Sequence, residues 1–561
     1  MKRLAATLER VRLTRARNGK EAALAELFAT LEGPALAAAA RLSVGLALKA
    51  ADPRSVGVGW AKVVDAAVEA TGWDRVVLRA CSAKCGDASE AIALLLARVP
   101  GHADRPGYQL EEVAALFDAL ATAADKRPLV EQILQRATPL EAKYLLKILL
   151  GGLRTGALGG VVEGAIARAF DLEPDAVRAA AAMFTDPGEL AVAAREGRLD
   201  AAAIEIGRPV AYMLATPIET IASELDPTRH VAEDKIDGIR AQAHKRGREV
   251  AVFARGLERV TESFPEVVEA LAKVPGSFVV DGEIVAVHAD GRVRPFQALQ
   301  ARLGRKRPTR AQREATRVTY VVYDLLAEGD RAWIAAPWTE RRARLGELGL
   351  AAAGLTVNEA RALVEGPLEP QLEREFDAAR ARGHEGLVLK RVDAAYEPGR
   401  RGQAWIKVKK AFATLDVVVT AAEEGHGKRA GLLSDYTFAV HRGDTLVNVG
   451  KAYSGVTDAE IAQLTERFLK TTIERFGRVR IVKPEVVMEV AFDGLQRSKR
   501  HASGFSLRFP RIVRIRDEKR PEDADRIETV EALFAAQVDT GHREEEAPVA
   551  QLSLFGEPKK D

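Results

Sequence analysis

Glu233-Asp234-Lys235-Ile236-Asp237-Gly238-Ile239-Arg240 places a lysine two residues before an Asp-Gly pair and surrounds it with further charge. A lysine in that setting is a candidate nucleophile. An amine attacks phosphorus or a carbonyl carbon only when unprotonated, and neighbouring cations or a bound metal disfavour the ammonium form. Alone, Lys-x-Asp-Gly equally describes a solvated strand ending in an Asp-Gly turn, so its meaning depends on the rest of the chain. Further charged clusters occur in order, each attached to a segment that reads as a buried strand. They are Asp281-Gly282-Glu283-Ile284-Val285 after Phe278-Val279-Val280, Tyr323-Asp324 after Thr319-Tyr320-Val321-Val322, Glu385-Gly386-Leu387-Val388-Leu389-Lys390, and Trp405-Ile406-Lys407-Val408-Lys409-Lys410. Runs rich in Val and Ile and bounded by Gly and charge are strand signals. From Trp405 to Lys409, period 2 places Lys407 and Lys409 on one sheet face and Ile406 and Val408 on the other. Two ammonium groups on one face repel unless an anion lies between them. A polyphosphate meets that need, whereas a solvated face would need no ligand.

Taken together, these segments resemble the covalent nucleotidyltransferases and, among them, the ATP-dependent DNA ligases. The resemblance runs motif by motif from about Arg208 to Asp517. It begins at Arg208-Pro209-Val210-Ala211-Tyr212-Met213-Leu214-Ala215, similar to the lead-in these ligases carry before their nucleophile. It ends at Ser506-Leu507-Arg508-Phe509-Pro510-Arg511 with Arg514 and Arg516, similar to their last catalytic motif. The resemblance implies a multidomain fold: an all-α DNA-binding domain over 1–207, an α+β, ATP-grasp-like adenylyltransferase domain over 208–411, an all-β OB-fold domain over 412–528, and a tail over 529–561.

It also implies a role for each residue of the site, with ATP and Mg²⁺ as cofactors. Lys235 becomes joined to AMP through a phosphoramide bond, and Glu233 reads the adenine amino edge, a task for an acceptor. Arg240 and Arg255 hold ribose and phosphate through guanidinium forks. Tyr323, where many members have Phe, stacks on adenine. Glu283 and Glu385 serve as Mg²⁺ ligands, since that ion takes hard oxygen donors and commonly one or two carboxylates. Arg401, Lys407 and Lys409 face the triphosphate and neutralise developing charge. Outside this context Tyr323 reads as core and Glu283 as a solvated strand end. Arg508, Arg511, Arg514 and Arg516 suit contacts to a DNA backbone equally well.

Composition agrees with a multidomain enzyme. The chain has 561 residues, 47% of them hydrophobic and 29% charged, enough for about three or four domains. A net charge of +3 means that any nucleic-acid surface is a local patch. Met1 to Arg17 is charged throughout and lacks the apolar run of a signal peptide. The Ala- and Leu-rich stretch from Gly33 to Ala51 is interrupted by Arg41 and Lys49, against a membrane span. The expected location is therefore the cytoplasm, with the nucleoid. Cys81 and Cys85 are the only cysteines, which fits a reducing compartment, a structural role for the pair and no four-cysteine zinc module of the NAD-dependent kind.

Residues 1 to about 205 are dense in Ala, Leu, Glu and Arg at helical spacing, as in Gly19 to Leu31, Leu110 to Ala124 and Leu129 to Gly151. Thr138-Pro139-Leu140-Glu141 reads as a helix start with a capping box and Pro in the first turn. The Leu153-Arg154-Thr155-Gly156 turn beyond it is similar to one in the helical DNA-binding domain of the larger ligases. Arg154 there suits either phosphate contact or plain surface. The basic run from Arg302 to Arg317 reads as a solvated loop able to contact phosphates. From Ala413 the pattern becomes short strands, Leu415 to Ala421, Thr437 to His441 and Val486 to Phe492, with one helix from Asp458 to Phe476. Loops at 425–431 and 494–504, the latter with Arg497, Lys499 and Arg500, are expected near substrate.

In the tail, Gln551-Leu552-Ser553-Leu554-Phe555 puts three apolar side chains into a polar terminus. It resembles the bacterial sliding-clamp motif, in which Gln551, Leu552, Leu554 and Phe555 would fill a clamp groove. The expected activity is sealing of nicked duplex DNA by a monomer in replication, repair or recombination. The alternatives are an RNA ligase or capping-type nucleotidyltransferase, and a non-catalytic clamp-tethered DNA-binding scaffold.

Overall fold

The computed structural model describes residues 1–50, 52, 54–201, 203–218, 225–294, 296–302, 305, 307–408, 413–425 and 429–538. These fall into two compact units, one within Met1–Lys410 and Gly425–Ala430, the other within Ala411–Glu424 and Gly431–Asp561. Among the described residues, no helix is long and apolar enough to cross a membrane.

The first unit begins with helices, from α1 (Lys2–Leu13) to α12 (Pro187–Arg195). Their apolar stripes meet in one core that includes Leu8, Leu24, Phe28, Phe117, Leu145 and Ile166. The stretch from Leu129 to Gly151 is two helices, α8 (Arg127–Arg136) and α9 (Pro139–Leu149). Proline disfavours helical geometry in the residue before it, so the chain breaks there and restarts. The restart carries the expected capping box. Glu141 N donates to Thr138 Oγ1 at 3.4 Å, and Thr138 N donates to Glu141 Oε2 at 2.9 Å. In the following turn Arg154 is exposed with φ 47°, and the buried Lys20 donates to the Thr155 carbonyl at 2.8 Å. Cys81 and Cys85 are free thiols one helical turn apart on α5 (Arg75–Cys85), with their sulfurs 4.0 Å apart.

Two sheets follow. The first runs in the order β1 (Leu214–Ile218), β11 (Arg401–Val408), β10 (Gly386–Arg391), β2 (His230–Lys235), β9 (Ala360–Ala362). The second runs β4 (Glu249–Ala254), β3 (Ile239–Arg246), β5 (Phe278–Ala286), β6 (Val318–Glu328), β7 (Arg331–Ala332), with β8 (Thr356–Val357) also on β6. Period 2 gives each sheet one apolar and one polar face. In the first, Ala232, Leu387, Leu389, Ile406 and Val408 pack on α16 (Leu368–Ala381) through Leu372 and Phe376. In the second, Ala241, Ala243, Val280, Ile284 and Tyr320 pack with Val267 and Leu271 of α13 (Pro265–Leu271) and Leu345 of α15 (Trp338–Glu347). The remaining faces turn toward each other. At one end they close through Val279, Met213, Tyr396 and Trp405; at the other they carry charge.

Part of the basic run between Arg302 and Arg317 is built into this unit, while Arg305, Arg307, Arg310 and Arg317 are exposed. Arg302 is buried and forms a two-pronged pair with Glu266, at 2.9 and 3.0 Å. Arg310 and Arg313 lie on a short helix, α14 (Arg310–Ala315), and pair with Glu314 and Glu269. Acidic partners distant in sequence make structural cations of Arg302 and Arg313, whereas the Arg310–Glu314 pair is an exposed one within the helix.

The second unit is a seven-stranded antiparallel sheet. Its path is β14 (Thr445–Ala452), β13 (Leu433–Arg442), β12 (Ala413–Glu424), β16 (Val479–Val482), β15 (Thr472–Phe476), with β17 (Val487–Phe492) bridging β12 to β20 (Arg511–Ile515). A two-stranded sheet, β18 (Gly494–Arg497) with β19 (Phe505–Arg508), and two helices, α17 (Asp458–Lys470) and α18 (Ile527–Val538), complete it. The expected helix from Asp458 to Phe476 ends at Lys470, and Thr472–Phe476 is a strand. The β-branched run Thr471-Thr472-Ile473 is a poor helix former, and Gly477, at φ 59°, turns the chain so that the segment pairs with β16.

Candidate active site

Lys235 ends β2, where the chain crosses from the first sheet to the second through Ile236-Asp237-Gly238. Gly238 is required by closeness. A Cβ there would lie 2.4 Å from the Ile284 carbonyl oxygen and 2.8 Å from Glu283 Cγ. The Asp-Gly pair is thus a tight crossing and not a positive-φ turn. Alternation along β2 sends Glu233 and Lys235 to the inner face and Asp234 to the outer one. Pairing continues the pattern: Lys235 opposes Gly386, Glu233 opposes Val388, and Val388 opposes Lys407. One inner face therefore carries Glu233, Lys235, Lys390, Trp405 and Lys407.

Lys235 Nζ donates to Glu385 Oε2, and both side chains are about one-fifth exposed, at 21% and 20%. Facing them from β5 is Glu283, whose carboxyl burial pushes up to about 8 against the opposing pull of Lys235 and Arg240. Glu233 is 1% exposed. Its Oε2 accepts from Lys390 Nζ at 3.0 Å and from Asn358 Nδ2 at 3.0 Å, while Oε1 is buried with no hydrogen-bond partner. Burial holds this carboxyl above the ordinary range, opposed by Lys390 and Arg342. An unpaired buried acceptor costs about 1–3 kcal/mol, which a ligand's N–H would offset.

Tyr323 is the extra residue of a β-bulge, since Asp281 pairs with Asp324 and Gly282 with Val322. Bulges re-aim side chains. Its ring lies edge-on to Trp405 at 6.1 Å, with Lys390 Nζ 4.8 Å from its centroid and the Arg240 guanidinium 5.8 Å away. All three nitrogens of Arg240 already donate within the protein: Nε and Nη2 to Asp281 at 3.2 and 2.7 Å, Nη1 to the Met213 carbonyl at 2.7 Å. It reaches a nucleotide only through its remaining N–H bonds and its charge. Arg255, just after β4, and Arg401, at the start of β11, are exposed, and Lys407 is half-buried. Lys409 lies outside the described residues.

Several residues given no role by the sequence help build the site. Lys390 bridges the sheets, donating to the Tyr323 carbonyl at 3.0 Å. Alternation of Leu387, Leu389 and Lys390 was the signal that it faces inward. On the outer face Asp234 accepts from Nε and Nη2 of Arg382, each at 2.8 Å, and also from Arg361, and His384 lies 3.5 Å away. These two arginines outweigh burial and hold the Asp234 carboxyl below its usual range. Asn358, Arg361 and Arg382 come from distant segments and carried no local signal.

In the second unit the arginines of the last motif are mostly paired with carboxylates. Arg511 pairs with Asp493 at 3.4 Å, Arg514 with Glu489 at 2.8 Å, and Arg516 with Asp416 at 3.0 Å. Arg508 lies against the exposed Phe509 ring, 5.5 Å from its centroid.

The family profile described as "ATP dependent DNA ligase domain" matches residues 212–409, "DNA ligase N terminus" matches 1–167, and "ATP dependent DNA ligase C terminal region" matches 429–519. A probable DNA ligase from Koribacter versatilis is 39% identical, over 96% of this chain and 97% of that one. The chain belongs to the ATP-dependent DNA ligase family. A probable DNA ligase from an Anaeromyxobacter species is 41% identical over 78% of this chain and 85% of its own length. A solved structure titled Pmar-Lig_PreS3 shares the fold, with a TM-score of 0.58 at 16% identity over 91% of this chain and 99% of its own. Membership makes the chain an ATP-using DNA ligase, with the charged inner faces just described lying inside the matched middle domain.

Proposed function

We propose that Lys235 is the nucleophile that carries AMP, and that ATP binds between the two inner faces. The observation that carries this reading is the unpaired, buried Glu233 Oε1 two residues from Lys235 on the same strand face. An adenine amino group would satisfy that oxygen while Tyr323 covers the ring. Arg240, Arg255, Arg401, Lys407 and Lys409 would supply positive charge along the phosphates. Glu283 and Glu385 fit Mg²⁺ as hard oxygen donors. Mg²⁺ commonly takes one or two protein carboxylates together with substrate phosphate oxygens. When bound, Mg²⁺ would withdraw charge from the phosphates.

Three transfers follow. Lys235 Nζ, freed from Glu385 and deprotonated, bonds to the α-phosphorus; the bond to the β-phosphate oxygen breaks and pyrophosphate leaves with the electron pair. The 5′-phosphate at a DNA nick then attacks the same phosphorus, and the lysine leaves and regains a proton. Finally the 3′-hydroxyl attacks the adenylated 5′-phosphate, closing the backbone and releasing AMP. Positioning and charge neutralisation carry the rate.

The same reading gives an ATP-grasp-like fold to 208–411, an OB fold to 412–528 and a DNA-binding role to the helices of 1–207. It describes a cytoplasmic monomer working in replication, repair or recombination. Gln551, Leu552, Leu554 and Phe555 lie outside the described residues; we assign them to docking on a bacterial sliding clamp. Incubation with α-labelled ATP and Mg²⁺ followed by denaturing separation tests the core of the reading. A covalent adduct present in the wild type, absent in Lys235→Ala and chased away by nicked DNA supports it; an adduct that survives the substitution overturns it.

A further inference from the structure

Asp234 interrupts an apolar surface. It shares the outer face of β2 with Ala232 and pairs across the ladder with Leu387, on the side of the sheet that packs against α16. Only 7% of its side chain is exposed. A carboxylate there has lost most of its hydration and needs partners to offset that loss. An apolar side chain would fill the position without the penalty, and buried ion pairs are often no better for stability than apolar packing of the same volume. Stability alone therefore does not account for an aspartate beside the nucleophile.

The partners of Asp234 suggest what does. Arg361 belongs to β9, the neighbour of β2, and its Nε is held in turn by Glu375 of α16. Arg382 and His384 belong to the turn between α16 and β10, which runs directly into Glu385, the partner of Lys235. The amides of Arg382, Gly383 and His384 fasten that turn to the helix, donating to the carbonyls of Ala378, Arg380 and Ala379 at 3.1, 2.9 and 3.0 Å. Glu385 N then donates to the Lys235 carbonyl at 2.9 Å. Arg382 meets the carboxylate as a fork, Nε on Oδ2 and Nη2 on Oδ1, both at 2.8 Å. A fork fixes orientation as well as distance. The guanidinium charges of Arg361 and Arg382 are matched by Asp234 and Glu375, so the cluster adds little net field at Lys235 and what it supplies is geometry.

We propose that the Asp234–Arg382 pair is a positioning device for the first transfer: by locking the outer side chain at the end of β2 onto the turn before Glu385, it holds Lys235 in line for the α-phosphorus of ATP. This rests on Lys235 being the nucleophile. A twist of the backbone at Asp234 is amplified along the four-carbon arm of Lys235, and a misplacement of about 1 Å at a reacting atom can cost on the order of 100-fold in rate.

Arg382→Gln and Arg382→Lys test this first, because that side chain is 42% exposed and its loss leaves the apolar core intact; Asp234→Asn is the companion variant. The full chain is stripped of AMP with pyrophosphate before assay. At saturating ATP, self-adenylation by Arg382→Gln and Asp234→Asn falls about 10- to 100-fold, while KM for ATP stays within about twofold of wild type. Arg382→Lys keeps the charge but not the fork, and its rate also stays well below wild type. Sealing of a nick that already carries AMP on its 5′-phosphate, a step in which no bond to Lys235 forms or breaks, stays near the wild-type rate. Equal losses in adenylation and in this sealing step would mean general damage to the domain and would overturn the proposal. So would a wild-type adenylation rate in either Arg382 variant, or a raised KM with an unchanged maximal rate. Adenylation that survives Lys235→Ala would instead count against the nucleophile reading beneath it.

Discussion

Glu283→Gln keeps the volume of a side chain facing the nucleophile while removing its ability to ionise. In the folded protein burial raises this carboxyl from 4.5 to about 8. Between those pH values the native state holds a proton that the unfolded chain has released, so native stability declines with rising pH. The contribution is complete below pH 4.5 and lost as pH rises through about 8. At 1.36 kcal/mol per pH unit, that gap amounts to ~5 kcal/mol. Glutamine binds no proton and escapes the decline. The variant's advantage over wild type should therefore widen from ~1 kcal/mol at pH 5 to ~4 kcal/mol at pH 8. The assay is calorimetry of protein stripped of AMP with pyrophosphate and held in chelator. Extrapolated to a unit of about 400 residues, 1 kcal/mol moves the midpoint by ~1–2 °C. The difference in Tm should thus grow by roughly 4–7 °C between pH 5 and pH 8, while the variant's self-adenylation falls. A difference that is constant with pH, or that shrinks as pH rises, refutes the reasoning that this carboxyl is strained in the empty site.

Asp324 and Arg341 form a fully buried pair at 2.7 and 3.0 Å directly after the Tyr323 bulge. Asp324→Ala strands a buried guanidinium and should cost about 3–5 kcal/mol, read as a lower Tm together with a raised KM for ATP. Gly238→Ala drives a Cβ into Ile284 and Glu283; adenylation should fall at least tenfold, and near-wild-type adenylation would show that the crossing has slack. Thr138→Ala removes one half of the α9 capping box and should cost about 0.5–2 kcal/mol in urea unfolding of the helical region, leaving adenylation unchanged.

Sequence alone exposed whatever rests on local periodicity. The Trp405 to Lys409 alternation gave the inward direction of Lys407, and Thr-Pro-Leu-Glu gave the start of α9. It was silent where partners come from far along the chain. Asp234 looked like one more charge around the nucleophile, yet strand parity sends it to the opposite face, into Arg361 and Arg382. Arg240 looked like a free fork until β5 supplied Asp281. Arg302 looked solvated until α13 supplied Glu266. The helix expected through Phe476 failed because strand pairing across Gly477 outweighs a helical apolar pattern that β-branched residues already weaken.

The most direct test of the central claim is to digest the adenylated protein under conditions that preserve the phosphoramide bond and to locate the AMP by fragment mass spectrometry. A single modified site is expected, Lys235, within the peptide that contains Glu233 to Gly238. AMP on any other residue, or no covalent AMP in a preparation that seals nicks, would contradict it.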